Sequence, residues 1–156
     1  MRLRDEDYSK VIRMPVSGPE RTWLDLASLL TLRELVAAGD FLVRRGAPLT
    51  TIDVLRDAFA RYPGRPGRPL IRAALPLLDA GAESPRESWL RIMLIEAGFP
   101  AFETNQNIVD ENGNFVARVD LVSRRHRIVV EYEGDHHRSD PVQWQRDVAR
   151  ARERHR

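Results

Sequence analysis

Asp120, Glu131 and Glu133 fall on two successive runs of alternating apolar residues, Phe115–Val122 and Ile128–Glu133, which read as β-strands turning at Arg125-His126. An even loop centred on that pair opposes Asp120 to Glu131 and Arg118 to Glu133. Directly opposed residues share a face, with Cβ atoms about 4.5–5.5 Å apart. One face then carries Arg118, Asp120, Glu131 and Glu133, and the other carries Val119, Leu121, Ile128, Val130 and Tyr132. The apolar set selects this register, because a slip of one residue would turn it outward.

Carboxylates so placed need a counter-charge, since two of them about 4 Å apart repel by roughly 4 kcal/mol at an effective dielectric of about 20. Oxygen-only ligands suit Mg2+ or Mn2+ rather than zinc. A cation of that kind could therefore sit between the two strands. The spacing equally allows a plain ion pair between Arg118 and Glu133 on a face that meets water.

The elements that must position these acids are also readable. Ser84-Pro85-Arg86-Glu87 combines a capping serine, proline at the first helical position and glutamate three residues past the cap. Leu90, Met93, Leu94 and Ala97 give that helix an apolar stripe, and Gly98 and Pro100 end it. Phe102–Val109 is the first strand, followed by a hairpin turn at Glu111-Asn112-Gly113-Asn114. Pro141 opens a last helix with Trp144, Val148 and Ala151 on one side. On it Arg146, Arg150 and Arg154 recur every four residues, a cationic stripe that either meets water or grips a nucleic-acid backbone.

Upstream, residues 19–80 read as short helices. One spans Arg33–Arg45, with Leu35, Val36, Phe41, Leu42 and Val43 among charges. Thr50 or Thr51 caps the next, on which Ile52, Leu55 and Phe59 are spaced three and four apart. Pro63–Pro69 breaks the chain, and a further helix follows from about Leu70 to Ala80. The prediction is an α/β (α+β) fold: an N-terminal helical region over 1–80, then a core over 84–156 of helix, three-stranded sheet and helix.

Bulk properties agree with such a domain. The 156 residues are 42% hydrophobic, enough for a core, and the absence of cysteine excludes disulfides and thiolate metal sites. No apolar run approaches the roughly 20 residues of a membrane span, and the N-terminus lacks a signal-like stretch, so a soluble cytoplasmic protein is expected. The net charge is only +2, and Lys10 is the only lysine. That arginine preference reflects either coding bias or phosphate recognition by the guanidinium fork.

Asp120, ten intervening residues and then Glu131-Tyr132-Glu133 resemble the PD-(D/E)XK nuclease motif. More closely, Arg118-Val-Asp-Leu, Val129-Val-Glu-Tyr-Glu-Gly134, His136-His137 and Gln145-Arg146-Asp147 resemble the endonuclease-like proteins allied to very-short-patch repair endonucleases. The resemblance covers about residues 84–156 and implies a restriction-endonuclease-like core. It implies Asp120 as central metal ligand, Glu131 as second ligand and Glu133 as a third acid, where the wider superfamily has lysine. It offers His136 or His137 as general acid or base and Asp147 as the group that orients the histidine or a metal-bound water. Glu87 matches a helix glutamate that joins such sites, although it also completes a capping box with Ser84. For Asp147 the alternative is a salt bridge to Arg150.

The expected function is therefore a Mg2+- or Mn2+-dependent DNA endonuclease, with Arg118, Arg146, Arg150 and Arg154 on the DNA. Its competitor is a catalytically degenerate nucleic-acid-binding or regulatory protein of a toxin–antitoxin or phage-defence kind, since some proteins of similar sequence look like antitoxin-type regulators. Proteins of this type continue past the last helix into a further strand, so the end at Arg156 implies a core truncated at its C-terminus. Such a sheet has an open edge through which a homodimer could form.

Overall fold

The computed structural model describes residues 8–11, 14–64 and 66–132, with side chains from Val16 onward. The order is β1 (Tyr8–Val11), β2 (Met14–Ser17), α1 (Pro19–Leu26), α2 (Leu32–Val43), α3 (Ile52–Arg61), α4 (Arg68–Ala74), α5 (Pro85–Glu96), β3 (Glu103–Val109), β4 (Phe115–Ser123) and β5 (Ile128–Val130). The fold is α+β. The N-terminal region is not purely helical as expected: β1 and β2 form an antiparallel hairpin ahead of α1. The main sheet is antiparallel in the order β3-β4-β5.

Helix starts follow local capping chemistry. Thr51 caps α3 by accepting from the Val54 amide at 3.2 Å. Thr31 and Glu34 form a reciprocal capping box on α2. The predicted helix from Leu70 to Ala80 is shorter: α4 gives way to a 3-10 turn at Leu75–Leu77, where Pro76 has no amide to extend the α-helical ladder.

The core is built from Trp23, Leu24, Leu35, Val36, Leu55, Ile71, Leu75 and Ile92, so α5 packs into the same interior as α1 to α4. The face that α5 buries differs from its predicted stripe. Ser88, Arg91 and Ile92 are buried, whereas Met93 and Ala97 are exposed. The cause is Asp40 of α2, only 1% exposed, whose Oδ2 accepts from Ser88 Oγ at 2.7 Å and Arg91 Nη2 at 2.9 Å. A buried charge must be paired, and here it draws the polar side of α5 inward.

Asp40 also accepts from the Asp79 amide at 2.7 Å, and the Asp79 carboxylate receives the Thr104 hydroxyl of β3 at 2.9 Å. A polar chain thus runs from the helical body to the sheet. Gly81 lies at the same junction, where a Cβ would come within 2.1 Å of Thr104 Oγ1. The sheet is fixed at its other end by the Asp110–Asn114 turn. Asp110 Oδ1 accepts from the Asn112 and Asn114 amides at 2.9 and 2.8 Å, and Gly113 takes φ of 83°. The donors of that turn hold the Asp110 carboxyl below its usual range, the Asn114 side-chain amide most of all.

Candidate active site

The β4–β5 register is the predicted one. Leu121, Val122 and Ser123 pair with Val130, Val129 and Ile128 around the turn at Arg124–Arg127. Val119 and Leu121 are buried as expected, while Ile128 at 38% and Tyr132 at 42% stay exposed. The ladder stops after Val130, one position short of opposing Asp120 to Glu131. Beyond it the backbone turns its amide to a side chain: Asp120 Oδ2 accepts from the Tyr132 N–H at 2.7 Å. Continuing the ladder would set two carboxylates face to face, and the repulsion between them favours leaving it. Asp120 satisfies the amide so released.

On the other side of β4, Thr104 pairs with Leu121 and Gln106 with Val119, so Asn105 is the residue across from Asp120. Asn105 adopts φ of +49°, a left-handed conformation inside a strand that asparagine tolerates better than most residues. Its Nδ2 donates to Glu87 Oε2 at 2.6 Å and to the Gly81 carbonyl at 2.8 Å. Both partners only accept, which fixes the orientation of the amide.

Glu87 is therefore both cap and neighbour of the Asp120 row. Its Oε1 receives the Ser84 hydroxyl at 2.7 Å, and its Oε2 receives the Glu83 amide at 3.0 Å. Sequence reasoning offered these two roles as alternatives, and the cap is formed while Asn105 ties the same carboxylate to β3. The first turn of α5 reaches the site elsewhere too. The Arg86 guanidinium lies 5.4 Å from the Tyr132 ring centroid, and Arg118 bonds Glu83. Arg118 thus meets an acid of the α5 approach.

Asp120, Glu131, Glu87 and Arg118 are described. Glu133, His136, His137, Arg146, Asp147, Arg150 and Arg154 lie outside the described residues, as does the predicted last helix. Among the described residues, no three of Asp, Glu and His are grouped so as to hold a metal ion. Asn105 was missed by sequence reasoning, because an asparagine in a polar stretch carries no sign that it will bridge two elements.

One more feature was not foreseen. An apolar groove of about 750 Å³ lies in the helical body, lined by Trp23, Phe41, Leu42, Leu49 and Trp89 among others. Neither Asp120, Glu131 nor Glu87 contributes to it. No helix among the described residues is long and apolar enough to cross a membrane.

No protein-family model matches the chain, and no solved structure does. The chain is similar to two uncharacterized proteins of Mycobacterium tuberculosis, one from strain CDC 1551 / Oshkosh and one from strain ATCC 25618 / H37Rv. Each is 31% identical over 119 residues, covering 69% of this chain and 44% of the relative. The chain therefore spans less than half the length of the curated relatives it matches.

Proposed function

We propose that this protein is a metal-dependent DNA endonuclease of the restriction-endonuclease-like kind, acting in the cytoplasm. The observation that carries the reading is the β4–β5 register, which brings Asp120 to the point where Glu131 and Tyr132 leave the sheet. The resemblance of Arg118-x-Asp120 and Glu131-x-Glu133-Gly134 to endonuclease-like proteins supports it independently.

The donors fit Mg2+ or Mn2+ in kind, being carboxylate oxygens of Asp120 on β4 and of Glu131 just past the end of β5. In number the described residues leave the set incomplete, and Glu133 is the third acid of the reading. Bound there, the cation would polarise the scissile phosphate and acidify a water. The chain's own groups do the rest. The Tyr132 amide holds Oδ2 of Asp120 and so orients its carboxylate, which would be the first ligand of a cation. Glu131, the residue before Tyr132, would supply a second oxygen. His136 or His137 moves a proton to or from the reacting oxygen, with Asp147 orienting it. Arg118 exchanges its exposed partner Glu83 for a DNA phosphate, and Arg146, Arg150 and Arg154 add backbone contacts.

The test is cleavage of supercoiled plasmid and of single-stranded DNA with Mg2+, Mn2+ or EDTA, comparing the protein with Asp120→Ala. Metal-dependent cutting that the variant loses is expected. Absence of cutting, together with no Mn2+ binding by calorimetry, overturns the proposal. A second reading, a regulatory protein that binds nucleic acid without cutting it, is favoured by one observation. Glu87 is satisfied by three protein donors and Arg118 by Glu83, with no cation required. Salt-dependent DNA binding in EDTA without cleavage in any metal would select it.

A further inference from the structure

We propose that Arg86 is a phosphate-binding residue of this protein and that the Tyr132 ring holds its guanidinium in place. The inference rests on the nucleic-acid reading above, in its cleaving or its regulatory form, and requires no cation. The Arg86 guanidinium lies 5.4 Å from the Tyr132 ring centroid, and both side chains are exposed. The Tyr132 amide in turn donates to Asp120 Oδ2 at 2.7 Å. The ring therefore ties the guanidinium to the point where the chain leaves the sheet at Asp120.

Arg86 departs from an ordinary surface arginine in two ways. The exposed Arg33, Arg56, Arg118 and Arg124 each close onto an acid, namely Glu96, Asp53, Glu83 and Glu103. Arg86 meets no acid among the described residues and lies over a ring instead. The acids nearest to it in sequence are engaged elsewhere. Arg118 takes Glu83, while Glu87 accepts from Ser84, Asn105 and the Glu83 amide. A ring face attracts the charge of a guanidinium without taking its in-plane N–H fork. That fork stays open, with the geometry that engages two oxygens of one phosphate.

The second departure is position. Arg86 is the second residue of α5, in the first turn, where the helix dipole favours acids and opposes cations. Neither an ion pair nor the dipole accounts for a cation at this place. A local rule broken without structural gain is what a binding residue looks like.

The test is binding of a fluorescein-labelled DNA duplex, followed by anisotropy over a range of salt in EDTA, which keeps a metal-dependent nuclease from cutting. Losing one phosphate contact lowers the slope of log K against log salt by about 0.9 on duplex DNA. Arg86→Gln is expected to show that reduction, with the same fold-loss of affinity on duplexes of unrelated sequence. Arg56→Gln removes an equal charge from α3 and is expected to leave the slope unchanged. Arg86→Lys should restore the slope but not the full affinity, because an ammonium keeps the charge and lacks the fork. Tyr132→Leu should weaken binding, Tyr132→Phe should not, and Tyr132→Leu should add nothing to Arg86→Gln.

An unchanged slope in Arg86→Gln, or a reduction that Arg56→Gln matches, overturns the inference while DNA binding itself stands. A Tyr132→Leu loss that persists in full beside Arg86→Gln overturns the supporting role of the ring. No binding of the duplex by the unaltered protein at low salt removes the nucleic-acid reading and the inference together.

Discussion

At the scale of single residues, the clearest energetic statement concerns Asp40. Burial pushes its carboxyl above the usual aspartate range, against the opposing pull of Arg91, the Asp79 amide and the Ser88 hydroxyl. An acid that holds its proton more tightly when folded contributes stability that is full below the unfolded value, about 3.9, and lost as pH rises through the folded value. Relative to Asp40→Asn, the protein should therefore lose stability as pH rises above about 4 and through the raised folded value, in urea titrations at successive pH. A pH-independent difference would contradict this. Asp40→Ala is a different experiment, since it strands the Arg91 charge in the interior. It should cost about 3–5 kcal/mol in the same assay. Tyr62 titrates on the opposite flank of the pH scale. Burial, with the hydrogen bond from its hydroxyl to Asp25 at 2.7 Å, pushes the phenol up to about 12. Its contribution to stability is present below about 10, the ordinary value, and lost as pH rises through about 12. In a spectrophotometric titration, a late-ionising component should be present and vanish in Tyr62→Phe. None of this was legible beforehand. Asp40 and Arg91 look like solvated charges of two separate helices until the fold brings those helices together.

At the scale of elements, legibility depended on whether the determinant is local. Ser84-Pro85-Glu87 and the pair Thr50-Thr51 marked helix starts, with Thr51 the one that caps, because a cap involves residues only three apart. Thr51→Ala should cost about 1 kcal/mol in urea unfolding. Ser84→Ala should cost more, since Ser84 both accepts from the Glu87 amide and donates to the Glu87 carboxylate. Equal losses would argue against the coupling of cap and carboxylate. Strand pairing was legible for a related reason, as alternation fixed the β4–β5 register that the structure adopts. The misreadings lie where distant chain decides. The face of α5 was chosen by Asp40, far away in sequence. The early end of β5 was chosen by Asp120 taking the Tyr132 amide. The left-handed turn of Asn105 follows from its grip on Gly81 and Glu87, a grip that exists only once α5 lies beside β3.

At the scale of the whole molecule, the candidate site depends on a junction containing none of its acids. The helical body and the sheet are joined by Asp40, Asp79 and Thr104 in series, with Gly81 close against Thr104. The same short segment presents the Gly81 carbonyl to Asn105, so the joint that docks the sheet also aims the side chain holding Glu87. Thr104→Val keeps the shape but leaves the Asp79 carboxylate short of a donor, a loss of about 1–3 kcal/mol. Gly81→Ala acts on the same contact sterically, because its Cβ would sit 2.1 Å from Thr104 Oγ1. If the joint is a single unit, the two changes will not add, and the double variant should lose less than the sum of the singles. Hydrogen exchange distinguishes this from general destabilisation. Amides of β3 and β4 should lose protection while those of α2 around Leu35 and Val36, at the centre of the helical core, retain theirs. Uniform loss across both regions would mean that body and sheet unfold together, and that the junction merely shares in the stability of one cooperative unit.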